Sequence, residues 1–139
     1  MKKILLTTII ACSFFACKKD SNSTQSNYTM ADIAGRWRIT DETRTVSSTG
    51  QTTNTYSTSY SMPCDQYSTY TFKTTGIADY RDSCSSQTFP YQYTLSGNVL
   101  GLPFGKSTIE SLSTTQLVVA VNDTIMATPQ VVRTTLTRY

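Results

Sequence analysis

The side chains able to do covalent chemistry in this chain are four cysteines, Cys12, Cys17, Cys64 and Cys84, and there is no histidine to work with them. A thiol can be a nucleophile, a metal ligand, an acylation site or half of a disulfide. The first two uses usually recruit a histidine as base or co-ligand. The carboxylates are scattered: Glu42, Glu110 and a few Asp, with Asp79 and Asp82 on opposite faces of one expected strand. Serine is abundant, but neither a Ser-x-x-Lys nor a Gly-x-Ser-x-Gly arrangement occurs. No catalytic residues, cofactor or metal are therefore expected, and the protein is expected not to be an enzyme. The net charge of +3 includes Lys2 and Lys3, which belong to a segment expected to be removed. A nearly neutral remainder does not suit nucleic acid, which needs clustered Lys and Arg. What remains for the cysteines is attachment and bridging.

The elements around each cysteine decide between those two uses. Met1 to Ala16 has two lysines followed by an uncharged, mostly apolar run. The run is too short for a transmembrane helix, which needs about 20 apolar residues. It has the layout of an export signal, with a small residue before the cut. Ala16-Cys17 closes the run and resembles a bacterial lipobox, which implies diacylglycerol on the Cys17 sulfur, cleavage before Cys17 and acylation of the new amino terminus. Ile9-Ile10-Ala11-Cys12 is a rival site, but cleavage there would leave an apolar core of only about eight residues and would strand Phe14 and Phe15 on the mature chain. Residues 1–16 are thus expected to be a lipoprotein signal peptide. Residues 17–30 are expected to be an acylated tether, because their polar composition buries too little surface to order. Two or more lipid chains would hold the rest at a membrane surface.

Residues 31–139 read as one domain. A short helical turn over Met30 to Ala34 leads into Gly35. Trp37, Ile39 and Asp41 then alternate with Arg38, Thr40 and Glu42 as a first strand. Thr53 to Ser61 is a second, very polar one. Thr74-Thr75-Gly76 suits a three-residue hairpin loop with glycine in the left-handed position. That loop sets Phe72 opposite Ala78 and Tyr70 opposite Tyr80, leaving one face apolar. The same register puts Cys64 and Cys84 on one face at the open end of the hairpin, where an exported chain should bridge them. Gly97-Asn98 makes a second hairpin, with Leu95 facing Leu100 and Tyr93 facing Leu102. Ser107–Leu112 with Gln116–Val121 makes a third hairpin, and Val131–Tyr139 closes the chain. The expected fold is all-β with little helix: a roughly eight-stranded antiparallel up-and-down barrel, since closure removes exposed edges.

Gly35-x-Trp37 at the head of the first strand resembles the lipocalin signature. Tyr70-Thr71-Phe72-Lys73-x-x-Gly76, Tyr93-Thr94-Leu95-Ser96-Gly97-Asn98-x-Leu100 and the Cys64/Cys84 pair resemble the lipocalin-like domain of Gram-negative lipoproteins. The resemblance spans about residues 31–139. It implies that Trp37 packs at the closed end of the barrel under a cation from near the last strand, the place that Arg138 holds. It also implies an outer-membrane, lipid-anchored monomer.

Two functions follow as expectations. One is a barrel carrying a small apolar or amphipathic ligand, lined by Tyr70, Phe72, Tyr80, Tyr93 and Leu95. The other is an envelope-structural or surface interaction lipoprotein whose barrel is filled by its tyrosines.

Overall fold

The computed structural model describes residues 27–56 and 64–139. Cys12 and Cys17, and residues 57–61 of the expected second strand, lie outside the described residues. A single-turn helix, α1 (Met30–Ile33), precedes ten strands: β1 (Gly35–Val46), β2 (Thr52–Asn54), β3 (Thr69–Phe72), β4 (Ile77–Arg81), β5 (Thr88–Gln92), β6 (Thr94–Ser96), β7 (Val99–Leu102), β8 (Gly105–Leu112), β9 (Gln116–Ile125) and β10 (Thr128–Arg138). All pairings are antiparallel, and the sheet runs β5-β4-β3-β1-β10-β9-β8-β7-β6, with β2 on β1. The chain thus meanders, and its last strand returns to its first. The result is an all-β antiparallel sheet nearly closed into an up-and-down barrel.

Eight strands were expected and ten are present among the described residues, because two passes across the barrel are each broken in the middle. β2 and β3 use the same edge of β1: Thr43–Thr45 pair with β2, and Gly35–Arg38 pair with β3. β5 and β6 are separated by Tyr93 alone, and they turn to different neighbours, β4 and β7. Tyr93 therefore does not face Leu102 in a ladder, as its alternation suggested. Its N–H donates to the Gly76 carbonyl at 2.8 Å, and pairing of the second hairpin begins at Thr94↔Gly101. The main strand order begins and ends on the two halves of this one bent pass, β5 and β6. Across the gap, the Tyr91 and Phe104 rings meet edge-on at 6.0 Å.

The hairpin registers match the turn chemistry. Phe72 pairs with Ala78 and Tyr70 with Tyr80, and Gly76 has φ +80°, which glycine adopts without a Cβ penalty. Leu95 pairs with Leu100 across a turn in which Gly97 has φ +60°. The inward residues Phe72, Ala78, Leu100, Ile109, Leu117, Val119 and Leu136 form one buried core with Ile33, Trp37 and Tyr93.

The alternation of β1 fails at one point. The β1–β10 register slips between Ile39 and Asp41, so that Ile39 faces Leu136 and Asp41 faces Thr135. This bulge at Thr40 reverses the faces of everything after it. Asp41, expected inward with Trp37 and Ile39, instead takes an exposed hydrogen bond from Asn54 Nδ2 at 2.6 Å. Glu42 and Arg44 turn into the barrel.

Candidate functional site: the barrel interior

The end of the barrel nearest Gly35 is sealed. Trp37 is fully buried, and its Nε1 donates to the Ile33 carbonyl at 2.8 Å. Arg138 pairs with Trp37 in the β1–β10 ladder, and its guanidinium carbon lies 4.4 Å from the indole ring. The same guanidinium donates to the Ala34 carbonyl at 3.0 Å and the Asp32 carbonyl at 3.4 Å. Its charge thus rests on the π face of the ring and on the last carbonyls of α1. Gly35 is the third part of the seal. A Cβ there would stand 2.6 Å from Arg138 Nη1, and its φ of +138° is a conformation side chains disfavour. Gly-x-Trp therefore has a mechanical reading: the glycine leaves room for the cation that covers the tryptophan.

Cys64 and Cys84 are disulfide-bonded, with Cα atoms 5.1 Å apart. The bridge ties the segment before β3 to the loop after β4. Ser83 Oγ donates to the Cys64 carbonyl beside it. Asp82 accepts from the Ser85 hydroxyl and the Cys84 N–H, and these bonds hold its carboxyl below the usual carboxylate range.

Above the seal lies an apolar cavity of about 200 Å³. Ile39, Phe72, Leu100, Leu117, Val119, Val121 and Leu136 form its walls, and Phe104, Gly105, Lys106 and Ser107 lie on its β7–β8 side. Of the five residues expected to line it, Tyr70 and Phe72 do. Tyr80, Tyr93 and Leu95 do not, for three different reasons. Tyr80 stands behind Tyr70, with ring centres 5.0 Å apart. Tyr93 sits at the bend between β5 and β6, edge-on to Phe72 at 5.2 Å, and its hydroxyl donates to the Lys73 carbonyl at 2.6 Å. Leu95 packs against the core from the β6 side. These three support the wall. Burial, with smaller contributions from Tyr80 and Tyr91, pushes the Tyr70 phenol up to about 12. Tyr70 is therefore a neutral hydroxyl, able to donate, throughout the physiological range.

The residues that alternation missed are Glu42 and Arg44. Through the bulge, Glu42 faces Thr134 and Arg44 faces Val132. Those residues continue across β9 to Val119 and Val121, both in the cavity wall. Arg44 Nη2 lies 3.5 Å from Glu42 Oε1, the Thr55 hydroxyl donates to the same Glu42 oxygen at 2.9 Å, and the Tyr56 hydroxyl donates to the Ile39 carbonyl at 3.1 Å. The interior is thus divided along its height into an aromatic-sealed floor, an apolar middle and a polar upper end. The polar residues of β2, with Thr55 and Tyr56 after it, belong to that polar end.

No protein-family model matches the chain, and no curated protein matches it.

Proposed function

We propose that this protein is a membrane-anchored lipoprotein whose lipocalin-like barrel carries a small amphipathic ligand. Cys17, at the close of an export signal, is the anchor, and the polar residues after it space the barrel from the outer membrane. The Gly35-x-Trp37 motif, Trp37 under Arg138 and the meandering antiparallel order support the lipocalin-like reading.

The observation that carries the ligand reading is the apolar cavity of about 200 Å³, whose lining also includes Tyr70, Lys106, Ser107 and Thr134. Its size sets the ligand's scale. Drug-sized ligands occupy roughly 300–1,000 Å³, whereas a cavity of about 150 Å³ suffices for benzene. The occupant is then a single ring or a short branched or linear chain with one polar end. Native mass spectrometry of protein taken from its own cells tests this directly. A single small-molecule adduct that is lost on unfolding is expected. A spectrum containing only the apoprotein mass would refute carriage.

A second reading has its own observation. Phe104 and Met126, 67% and 96% exposed, occupy the β7–β8 and β9–β10 turns at the end away from the seal, and Tyr67 is 59% exposed beside the disulfide. Apolar groups displayed on turns suit a protein partner. Crosslinking in intact cells from positions 104 and 126 would capture that partner.

A further inference from the structure

We infer that Glu42 and Arg44 read the head group of the cavity's ligand, and that this head group is an uncharged hydrogen-bond acceptor, a carbonyl oxygen. The inference rests on the reading of the cavity as a ligand site.

Charge is balanced at this pair, but hydrogen bonding is not. The side chains of Arg44 and Glu42 are 35% and 13% exposed and 3.5 Å apart, so each offsets the other's charge. Glu42 also accepts from Thr55. Arg44 Nε, however, is buried with no hydrogen-bond partner, and among the described residues it is the one side-chain polar atom in that condition. A guanidinium offers N–H donors on a planar edge, and leaving one unpaired and out of water is costly. The bulge at Thr40 is what brings the pair inside. An apolar pair of the same volume would meet no such penalty.

The position of the orphan donor connects it to the cavity. Glu42, Thr134 and Val119 form one row across β1, β10 and β9, and Arg44, Val132 and Val121 form the next. Thr134, Val119 and Val121 line the cavity. Glu42 and Arg44 are not themselves among the lining residues but adjoin them through these rows, so a molecule with its apolar part among Ile39, Leu117 and Leu136 and its long axis along the barrel would bring its other end to them. A carbonyl oxygen there supplies the missing acceptor and leaves the charge balance intact. A carboxylate there would set a second negative charge beside Glu42, and the cation among the lining residues, Lys106, stands on the β7–β8 side and not in these rows.

Three probes of equal ring size separate these cases: (trifluoromethyl)benzene, 4-(trifluoromethyl)acetophenone and 4-(trifluoromethyl)benzoate. Their bound fractions are read by fluorine NMR on the full protein as recovered from cells, held in lipid nanodiscs with empty nanodiscs as reference. The wild type should bind the ketone at least about tenfold more tightly than either other probe, as expected for a hydrogen bond to a charged donor. Arg44→Met should bring the ketone down to the level of the headless probe without changing the latter. Glu42→Gln should leave the Arg44 charge uncompensated and move the preference to the benzoate. Tyr70→Phe should leave the ketone preference in place. If Arg44→Met alone fails to fold, the uncharged double variant Glu42→Gln with Arg44→Met should show the same loss. Equal binding of ketone and headless probe by the wild type would overturn the inference while leaving the cavity a ligand site. A ketone preference that survives loss of Arg44, or disappears in Tyr70→Phe, would also overturn it. Failure of all three probes to bind would overturn the inference together with the proposed function.

Discussion

Removing the ring of Trp37 should nearly unfold the domain, and the loss should be shared with Arg138. A Trp side chain buries about 150–250 Å², and Trp37 is fully buried. Phe or Trp to Ala in such a position costs about 3–5 kcal/mol, and the Nε1 bond to the Ile33 carbonyl at 2.8 Å adds about 0.5–1.5 kcal/mol. Trp37→Phe, which keeps most of the area and loses the N–H, should therefore cost about 1–2 kcal/mol. Arg138→Ala removes a cation–π contact worth about 0.5–2 kcal/mol, together with two bonds to the Asp32 and Ala34 carbonyls. Because Arg138 is itself exposed, solvent recovers part of the carbonyl bonding, and the net loss should be about 1–2 kcal/mol. The assay is a denaturant double-mutant cycle with Trp37→Phe and Arg138→Ala, followed by circular dichroism. Emission from Trp37 in Arg138→Ala should shift to the red as water reaches the indole. A coupling of at least about 0.5 kcal/mol is expected for groups in contact. Additivity within about 0.3 kcal/mol, with unshifted emission, would refute the seal as a unit.

Four further outcomes are expected. Gly35→Ala should destabilise by more than the about 1 kcal/mol typical of a strained backbone, since its Cβ would meet Arg138 at 2.6 Å; combining it with Arg138→Ala should recover part of the loss, and thermal melts of the three variants check this. Cys64→Ser with Cys84→Ser opens a bridge between residues 20 positions apart and should cost about 3 kcal/mol, readable as a lower denaturation midpoint with an unchanged far-UV spectrum. The Tyr70 phenol lies at about 12 in the folded chain, against about 10 for an ordinary tyrosine. A raised value means its contribution is fully present below about pH 10 and is lost as pH rises through about 12, so Tyr70→Phe should flatten the fall in stability over that window. Cys17→Ser should leave the precursor uncleaved and move the protein out of the membrane fraction; an effect from Cys12→Ser instead would relocate the anchor.

Where local chemistry fixed the geometry, the fold could be read from the sequence. Gly76 and Gly97 supply the positive φ their turns need, and with those turns in place the facing of Phe72 on Ala78 and Leu95 on Leu100 was determined. The pairing of β1 with β10 was not available from alternation; it entered through the resemblance of Gly35-x-Trp37 to a known signature. The bulge at Thr40 left no mark at all. It involves no glycine or proline, and both readings of β1 put a carboxylate inside: Asp41 without the bulge, Glu42 with it. Hydrophobic pattern could not choose between them, and the polar end of the site was lost with that choice. Tyr80, Tyr93 and Leu95 were expected in the cavity wall because they share the inward face with Tyr70. Facing inward does not guarantee contact with the cavity, because Tyr93 falls at a bend where the chain leaves one neighbour for another. The extra strands have the same origin: single passes broken by a change of partner look continuous in sequence.

The central claim is that the apolar cavity holds a ligand in the cell. Native mass spectrometry of the wild type beside Val121→Phe, which fills the upper part of the cavity wall, tests it most directly. The account predicts a small adduct on the wild type that is absent from a folded Val121→Phe. Equal adducts on both proteins, or none on the wild type, would contradict it.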